Sequence, residues 1–259
     1  MEENPQSDIT AALLSRERGV IRCARYAFSP NRLHFCGPDK ANEILAYIDE
    51  DTADFGLRYL LSQFEVMAPY LIAIASANKI SDPFDERVIE AYWLGNELLD
   101  NASKQSMYIH LKDTLRVKDR FGAKYFKTIE DKISDGAKMH HSFQVMNVWQ
   151  RMGHKEEAHT IESIDSCRIS WGKVLSVAGP ILTVERKPIL FDGKQMYLGK
   201  VEKRKIIRHL GDDGLMDDVS VGDCISMHWD LPCEILNQRQ VSHLSRFTKM
   251  HIQLANKSI

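Results

Sequence analysis

Cys167 and His228 are the two residues of this 259-residue chain best suited by type and context to handle a metal. Cys167 opens a run that reads as a β-strand, CRISWGKVLSV, directly after a polar stretch where a thiol can be reached and ionised. His228 stands late in VGDCISMHW, which reads as the last strand of the same module. In a small barrel the first and last strands are commonly neighbours, so the two side chains are expected to meet at one rim. Thiolate with imidazole suits iron, zinc or copper by ligand softness. Two protein donors do not close a structural site, so a metal held by them is transferable or brings ligands of its own.

A second candidate site lies upstream. Cys36 precedes Gly37-Pro38 in RYAFSPNRLHFCGPD, near a helix entrance whose dipole would lower a thiol pKa. His140 and His141 are adjacent, so on a helix they point about 100° apart and on a strand to opposite faces; one of the two is expected to join a site. Cys23, Cys224 and Cys233 read as packing residues. Five scattered cysteines argue for thiols and against a disulfide framework. No CxxC, HExxH, P-loop, GxGxxG or GxSxG motif occurs, which removes the commonest zinc, NTPase, dinucleotide and hydrolase readings.

The elements that position these residues change character partway along. From about residue 8 to 155 the apolar period is helical, beginning with Ile9, Leu13, Leu14, Val20, Ile21 and Ala24. Asp39, Thr52 and Asp82-Pro83 read as helix starts, and further helices are expected over 103–117 and 122–133. The stretch 139–153 fits a helix or a buried strand, and the polar residues 154–166 read as a linker. Short β-branched runs follow, broken by Gly179-Pro180, Asp192-Gly193 and Gly211–Gly214, with Asp192-Gly193 a strong hairpin turn. A helix is expected from Cys233 to Asn256. The expected fold class is α+β: an all-α domain over 1–160, then a small β-barrel with a C-terminal helix over 165–259.

Cys167-x4-Gly172-Lys173-Val174, followed by Val221-Gly222-Asp223-x4-His228 and a terminal helix, resembles the two signatures of the HypC/HybG-type nickel–iron hydrogenase maturation chaperones. The likeness covers about residues 165–259. It implies an OB-like barrel and a non-catalytic role in hydrogenase assembly, with Cys167 and His228 as thiolate and imidazole ligands to an iron bearing cyanide and carbonyl, Fe(CN)2(CO). It also implies other maturation proteins or a hydrogenase large subunit as partners, and Gly172 and Lys173 as N–H donors to the cyanide nitrogens. The sequence differs from that family in placing its cysteine inside the chain and in carrying Ile169-Ser170-Trp171 where the family has Gly-Ile-Pro. The helical part, through the Cys36 loop and His140–Phe143, resembles an uncharacterised hydrogenase-associated family. A thiol-based enzyme or small-molecule binder using Cys36 with His140 or His141, the barrel serving only for interaction, is the alternative; a scaffold without bound chemistry is a third.

Composition sets the outer limits. Hydrophobic content of 44% and charged content of 27% are those of a globular protein, and a net charge of −2 argues against a surface built for nucleic acid or anionic lipid. The polar, acidic start MEENPQSDIT and the lack of a long apolar run lead to the expectation of a cytoplasmic protein without membrane insertion. Basic residues dominate Arg168–Arg208, while 212–230 holds six aspartates and no Lys or Arg; this polarity fits a solvated face or a protein-docking surface.

Overall fold

The computed structural model describes residues 5–148, 160–211 and 213–259, with side chains from residue 17 onward. The fold is mixed: a helical first part, then an antiparallel sheet and a C-terminal helix. The helices are α1 (Pro5–Arg32), α2 (Ala41–Asp49), α3 (Phe55–Ser62), α4 (Met67–Ala77), α5 (Glu86–Trp93), α6 (Leu98–Asn101), α7 (Lys104–Ile109) and α8 (Val117–Ser134). The short α9 (His141–Phe143), α10 (Ile161–Cys167) and the terminal α11 (Gln238–Asn256) complete them. Two π-helical stretches, His110–Thr114 and Gln144–Val148, extend α7 and α9.

α1 is the organising helix. Val20, Cys23, Ala24 and Ala27 recur at helical spacing and are buried, and the helix packs on α2, α3, α5 and the sheet. The small side chains along this stripe let neighbours approach closely. Local chemistry sets the helix starts, and three of them differ from the sequence expectation. Asp54, not Thr52, caps α3 by accepting from Leu57 N at 2.9 Å; Asp85, not Asp82, caps α5 by accepting from Arg87 N at 3.0 Å. Asp82 instead accepts from Phe84 N and pairs with Arg58, which spends its oxygens before the helix begins. Asp39 pairs with His34, and Lys40 takes the cap position of α2 with no side-chain capping bond.

The main sheet contains β1 (Ser170–Ala178), β2 (Ile181–Arg186), β5 (Glu202–Ile207), β8 (Cys224–His228) and β9 (Leu231–Ile235) in the order β5-β2-β1-β8-β9, all antiparallel. The hairpin β3 (Ile189–Phe191)–β4 (Met196–Leu198) turns at Asp192-Gly193 as the sequence predicts, with Gly193 at φ +90° and Asp192 accepting from Lys194 N and Gln195 N. β6 (His209–Leu210) and β7 (Asp213–Gly214) form a small second pair. The edges β5 and β9 are joined by a bond from Ile207 N to Asp230 O at 3.4 Å and by the Arg204–Asp230 ion pair; the ladder itself is open.

Three further expectations change. Cys167 ends helix α10, capped by Thr160, rather than opening a strand, because Asp165 is drawn into a buried cluster with Arg168 and Arg186. The expected linker is therefore helical from Ile161, while its residues 154–159 lie outside the described residues, as does 149–153 of the ambiguous stretch. His228 ends the penultimate strand, since Leu231–Ile235 is strand β9 and the terminal helix begins only at Gln238, with an Asn237/Gln240 capping box. Pro232 is tolerated there because β9 is an edge strand with a register shift opposite it.

One apolar core runs from Val20, Tyr26 and Leu57 through Trp93 and Phe143 to Ile169, Leu231, Phe247 and Leu254, so helices and sheet share an interior. A second cluster, with Val174, Leu182, Val184 and Ile225, forms a separate core on the sheet. Among the described residues no single helix is long and apolar enough to cross a membrane; α3 and α4 pass together but are bent by 102°.

Candidate metal centre

β1 and β8 are direct neighbours, with Ser170 opposite Met227, so Cys167, just before β1, and His228, at the end of β8, lie at the same end of the ladder. The hairpin turn after His228 tightens the junction: Trp229 N donates to Ser166 O at 2.9 Å. Trp229 and Asp230 sit at φ +50° and +60°, a left-handed pair that usually calls for Asn-Gly. Asp230 is held there by two bonds from Arg204, and the Trp229 ring packs on Phe35 at 4.6 Å between centroids. Such a cost, roughly 1–3 kcal/mol per residue, is found where the surroundings fix a functional geometry.

His141 enters from α9 and joins these two. One donor atom each from His141, Cys167 and His228 lies within 4.8 Å of the others. Ligands bound at about 2.0–2.3 Å stand about 3.3–3.8 Å apart in a tetrahedron, so an inward movement of about 1 Å completes the site.

The tautomers are fixed by the acceptors. His228 Nδ1 faces the Tyr26 carbonyl at 2.7 Å, and a carbonyl only accepts, so this nitrogen carries the hydrogen. Nε2 is then a lone pair; it is buried and makes no hydrogen bond of good geometry. The Cys167 carbonyl accepts from His141 Nε2 at 2.8 Å. His141 therefore keeps its lone pair on Nδ1, with the Tyr92 hydroxyl 3.4 Å away. Burial holds both imidazoles neutral, His228 down to about 4 and His141 well below the usual histidine range, the latter helped by His228 itself. An imidazole whose far nitrogen donates to a carbonyl and whose near nitrogen is bare is the usual arrangement of a metal-ligating histidine. Trp93, stacked on Tyr26, packs against both rings at 4.6 and 5.7 Å.

These donors line a cavity of about 60 Å³, walled by apolar groups including Ala27, Pro30, Phe64, Met67 and Val145. Cys36 lines it too. Its loop is built rather than loose: Asn31 Nδ2 donates to Cys36 O at 2.8 Å and Pro38 O at 2.6 Å, and Gly37, at φ +79°, lies so close to the Phe64 ring that a Cβ would meet it at 2.5 Å. The two candidate sites of the sequence thus converge on one space.

His140 does not share it. Fully buried, it stacks on Phe247 and bonds Ser142, outside the cavity. Gly172 and Lys173 lie outside the lining as well: Gly172 is buried in the ladder, where a Cβ would meet Glu185 O at 2.7 Å, and Lys173 is exposed. What the sequence reading missed was that His141 stands with Cys167 and His228 and not with Cys36 alone. The neighbours Tyr92-Trp93 gave no separate signal, being indistinguishable from core aromatics.

All five cysteines are thiols. The arrangement is a buried His-Cys-His group able to hold a metal. No curated protein and no solved structure matches the chain. One family model matches over residues 15–259, and on that span the chain belongs to DUF6390, a family of unknown function.

Proposed function

We propose that this protein is a non-catalytic accessory of nickel–iron hydrogenase assembly that carries an iron fragment, Fe(CN)2(CO), in the His141–Cys167–His228 cavity. The observation that carries the reading is the pairing of three converging donors with a cavity of about 60 Å³. That space holds only a few water-sized groups, the scale of an ion with diatomic ligands. Three protein donors and three diatomics fill an octahedron, and the apolar wall suits carbon monoxide. The signature residues of the HypC resemblance, Cys167 and His228, are two of the three donors, which supports the same reading.

The sheet then serves as an OB-like module whose edges meet at the Ile207–Asp230 corner, and the carrier docks other maturation proteins or a hydrogenase large subunit. The exposed Leu190, Phe191 and Tyr197 of the β3–β4 hairpin offer such a partner apolar contact. A thiol enzyme built on Cys36 and His141 draws on their shared cavity, but the same volume leaves no room for an organic substrate of more than a few atoms.

Coexpression with the hydrogenase maturation proteins tests the proposal. Purified protein is expected to contain iron and to show infrared bands of bound cyanide and carbonyl, and Cys167→Ala to lose both. Wild type without iron or bands, or Cys167→Ala with bands intact, refutes it.

A further inference from the structure

Cys36 is the cavity-lining thiol that the three-donor carrier leaves unused. Cys36 lines the same small space as His228 Nε2, a buried lone pair without a hydrogen bond of good geometry, and stands outside the trio whose donor atoms lie within 4.8 Å of one another. The loop that presents it is fastened to the site at two points. Phe35, one residue before it, packs on Trp229, one residue after His228, and Trp229 N is bonded to Ser166 O, one residue before Cys167. A single tryptophan thus links the Cys36 loop, the end of α10 and the β8–β9 turn. On the far side, Asn31 and the Gly37–Phe64 contact stop the loop from swinging away.

We infer that Cys36 is a fourth, exchangeable protein ligand, and that the cavity binds a bare divalent ion of the zinc class in a tetrahedral Cys36–Cys167–His141–His228 shell. This rests on the metal reading of the other three residues and adds a state to it. Two thiolates and two neutral imidazoles give a bare zinc-class ion a full coordination sphere. An iron that brings three diatomic ligands needs only three protein donors, so Cys36 stands outside that shell. One cavity then serves two ions by using or withholding one thiol. Binding of the bare ion releases a proton from each thiol that is protonated beforehand, since the thiolate is the ligand.

Cobalt(II) distinguishes the possibilities, because each thiolate ligand adds its own charge-transfer absorbance. Co2+ is titrated into the full chain and the absorbance per bound ion is read. Wild type is expected to show about twice the intensity of Cys36→Ser, which still takes up one ion through the remaining three donors. Equal intensity in the two proteins overturns the fourth ligand and leaves the three-donor site standing. No Co2+ uptake by wild type overturns both. The unmutated protein gives an independent measure: iodoacetamide labelling of Cys36 is expected to slow by about tenfold or more when Zn2+ is bound, as for a thiolate engaged by metal. Labelling at an unchanged rate in zinc-loaded protein overturns the inference.

Discussion

His140 and His141 are adjacent, both are buried and both are held neutral, yet they belong to different structures. His140 sits in a closed relay. Lys138 N donates to His251 Nε2 at 3.4 Å, so His251 Nδ1–H donates to Ser142 Oγ at 2.7 Å, and Ser142 donates through both its N–H and its hydroxyl to His140 Nδ1. Phe247 stacks on His140, and the relay's remaining nitrogen, His140 Nε2, faces the Leu94 backbone without a bond of good geometry. His141, turned the other way by the helical geometry of α9, spends its N–H on the Cys167 carbonyl and leaves Nδ1 beside a cavity. Burial and a low pKa are therefore common to both and diagnostic of neither. The lone pair and the space in front of it make the difference.

The largest effect is expected on acidification, and it is one that the buried histidines share. His110, packed on Tyr70, and His251 are kept neutral by burial, at about 4 and about 3, below the ordinary value near 6.5. A base whose folded pKa is depressed contributes fully above the unfolded value, and the contribution drains as pH falls toward the folded one. Stability is expected to be flat above about pH 7 and to fall between pH 6.5 and 4, by on the order of 3 kcal/mol for each histidine. Urea unfolding at several pH values reads this, and His110→Phe, which removes one titrating group while keeping a ring against Tyr70, should flatten the slope. An unchanged slope would mean that His110 is hydrated and charged in the folded protein.

Next in size is the contrast between the two histidine sites themselves. His228→Ala is expected to weaken Zn2+ binding by more than about 100-fold, the upper range seen even for outer-shell losses. His140→Ala is expected to leave Zn2+ affinity within a few-fold but to cost about 2–4 kcal/mol of stability through a cavity and an abandoned Ser142. Calorimetric titration and denaturant unfolding of both variants give four numbers that should form this crossed pattern. Equal losses of affinity would make the relay part of the metal site.

The change from helical to β texture was legible because period-2 runs punctuated by Gly and Asp-Gly have few other readings, and the β3–β4 turn fell where Asp192-Gly193 placed it. The conjunction of Cys167 and His228 was legible through strand adjacency, although each sits one element away from its expected place. Helix starts were read less well, because Asp39, Thr52 and Asp82 have the chemistry of caps, while the folded chain engages Asp39 with His34 and Asp82 with Arg58 and Phe84 N. Leu231–Ile235 was hidden as a strand by Pro232 and by the helical sequence that follows. The convergence of Cys36 and His141 on Cys167 depends on how α1, α9 and α10 meet, which no local pattern encodes.

The smallest expected effect concerns the hydroxyl between the two worlds. Tyr92 OH stands 3.4 Å from His141 Nδ1, long for a hydrogen bond, and burial keeps the phenol protonated by raising it well above its usual range. If Nδ1 is the metal donor, that contact is one the ion must displace, and Tyr92→Phe removes a competitor without removing the ring that packs on Trp93. Zn2+ affinity is then expected to stay level or rise by a few-fold, with stability changed by no more than about 1 kcal/mol. If His141 instead binds through Nε2, its Nδ1–H must point at Tyr92, whose oxygen orients the ring, and the same substitution should weaken binding by about 10-fold or more. The sign of this one change assigns the ligand atom of His141, and with it the side of the ring on which the ion sits.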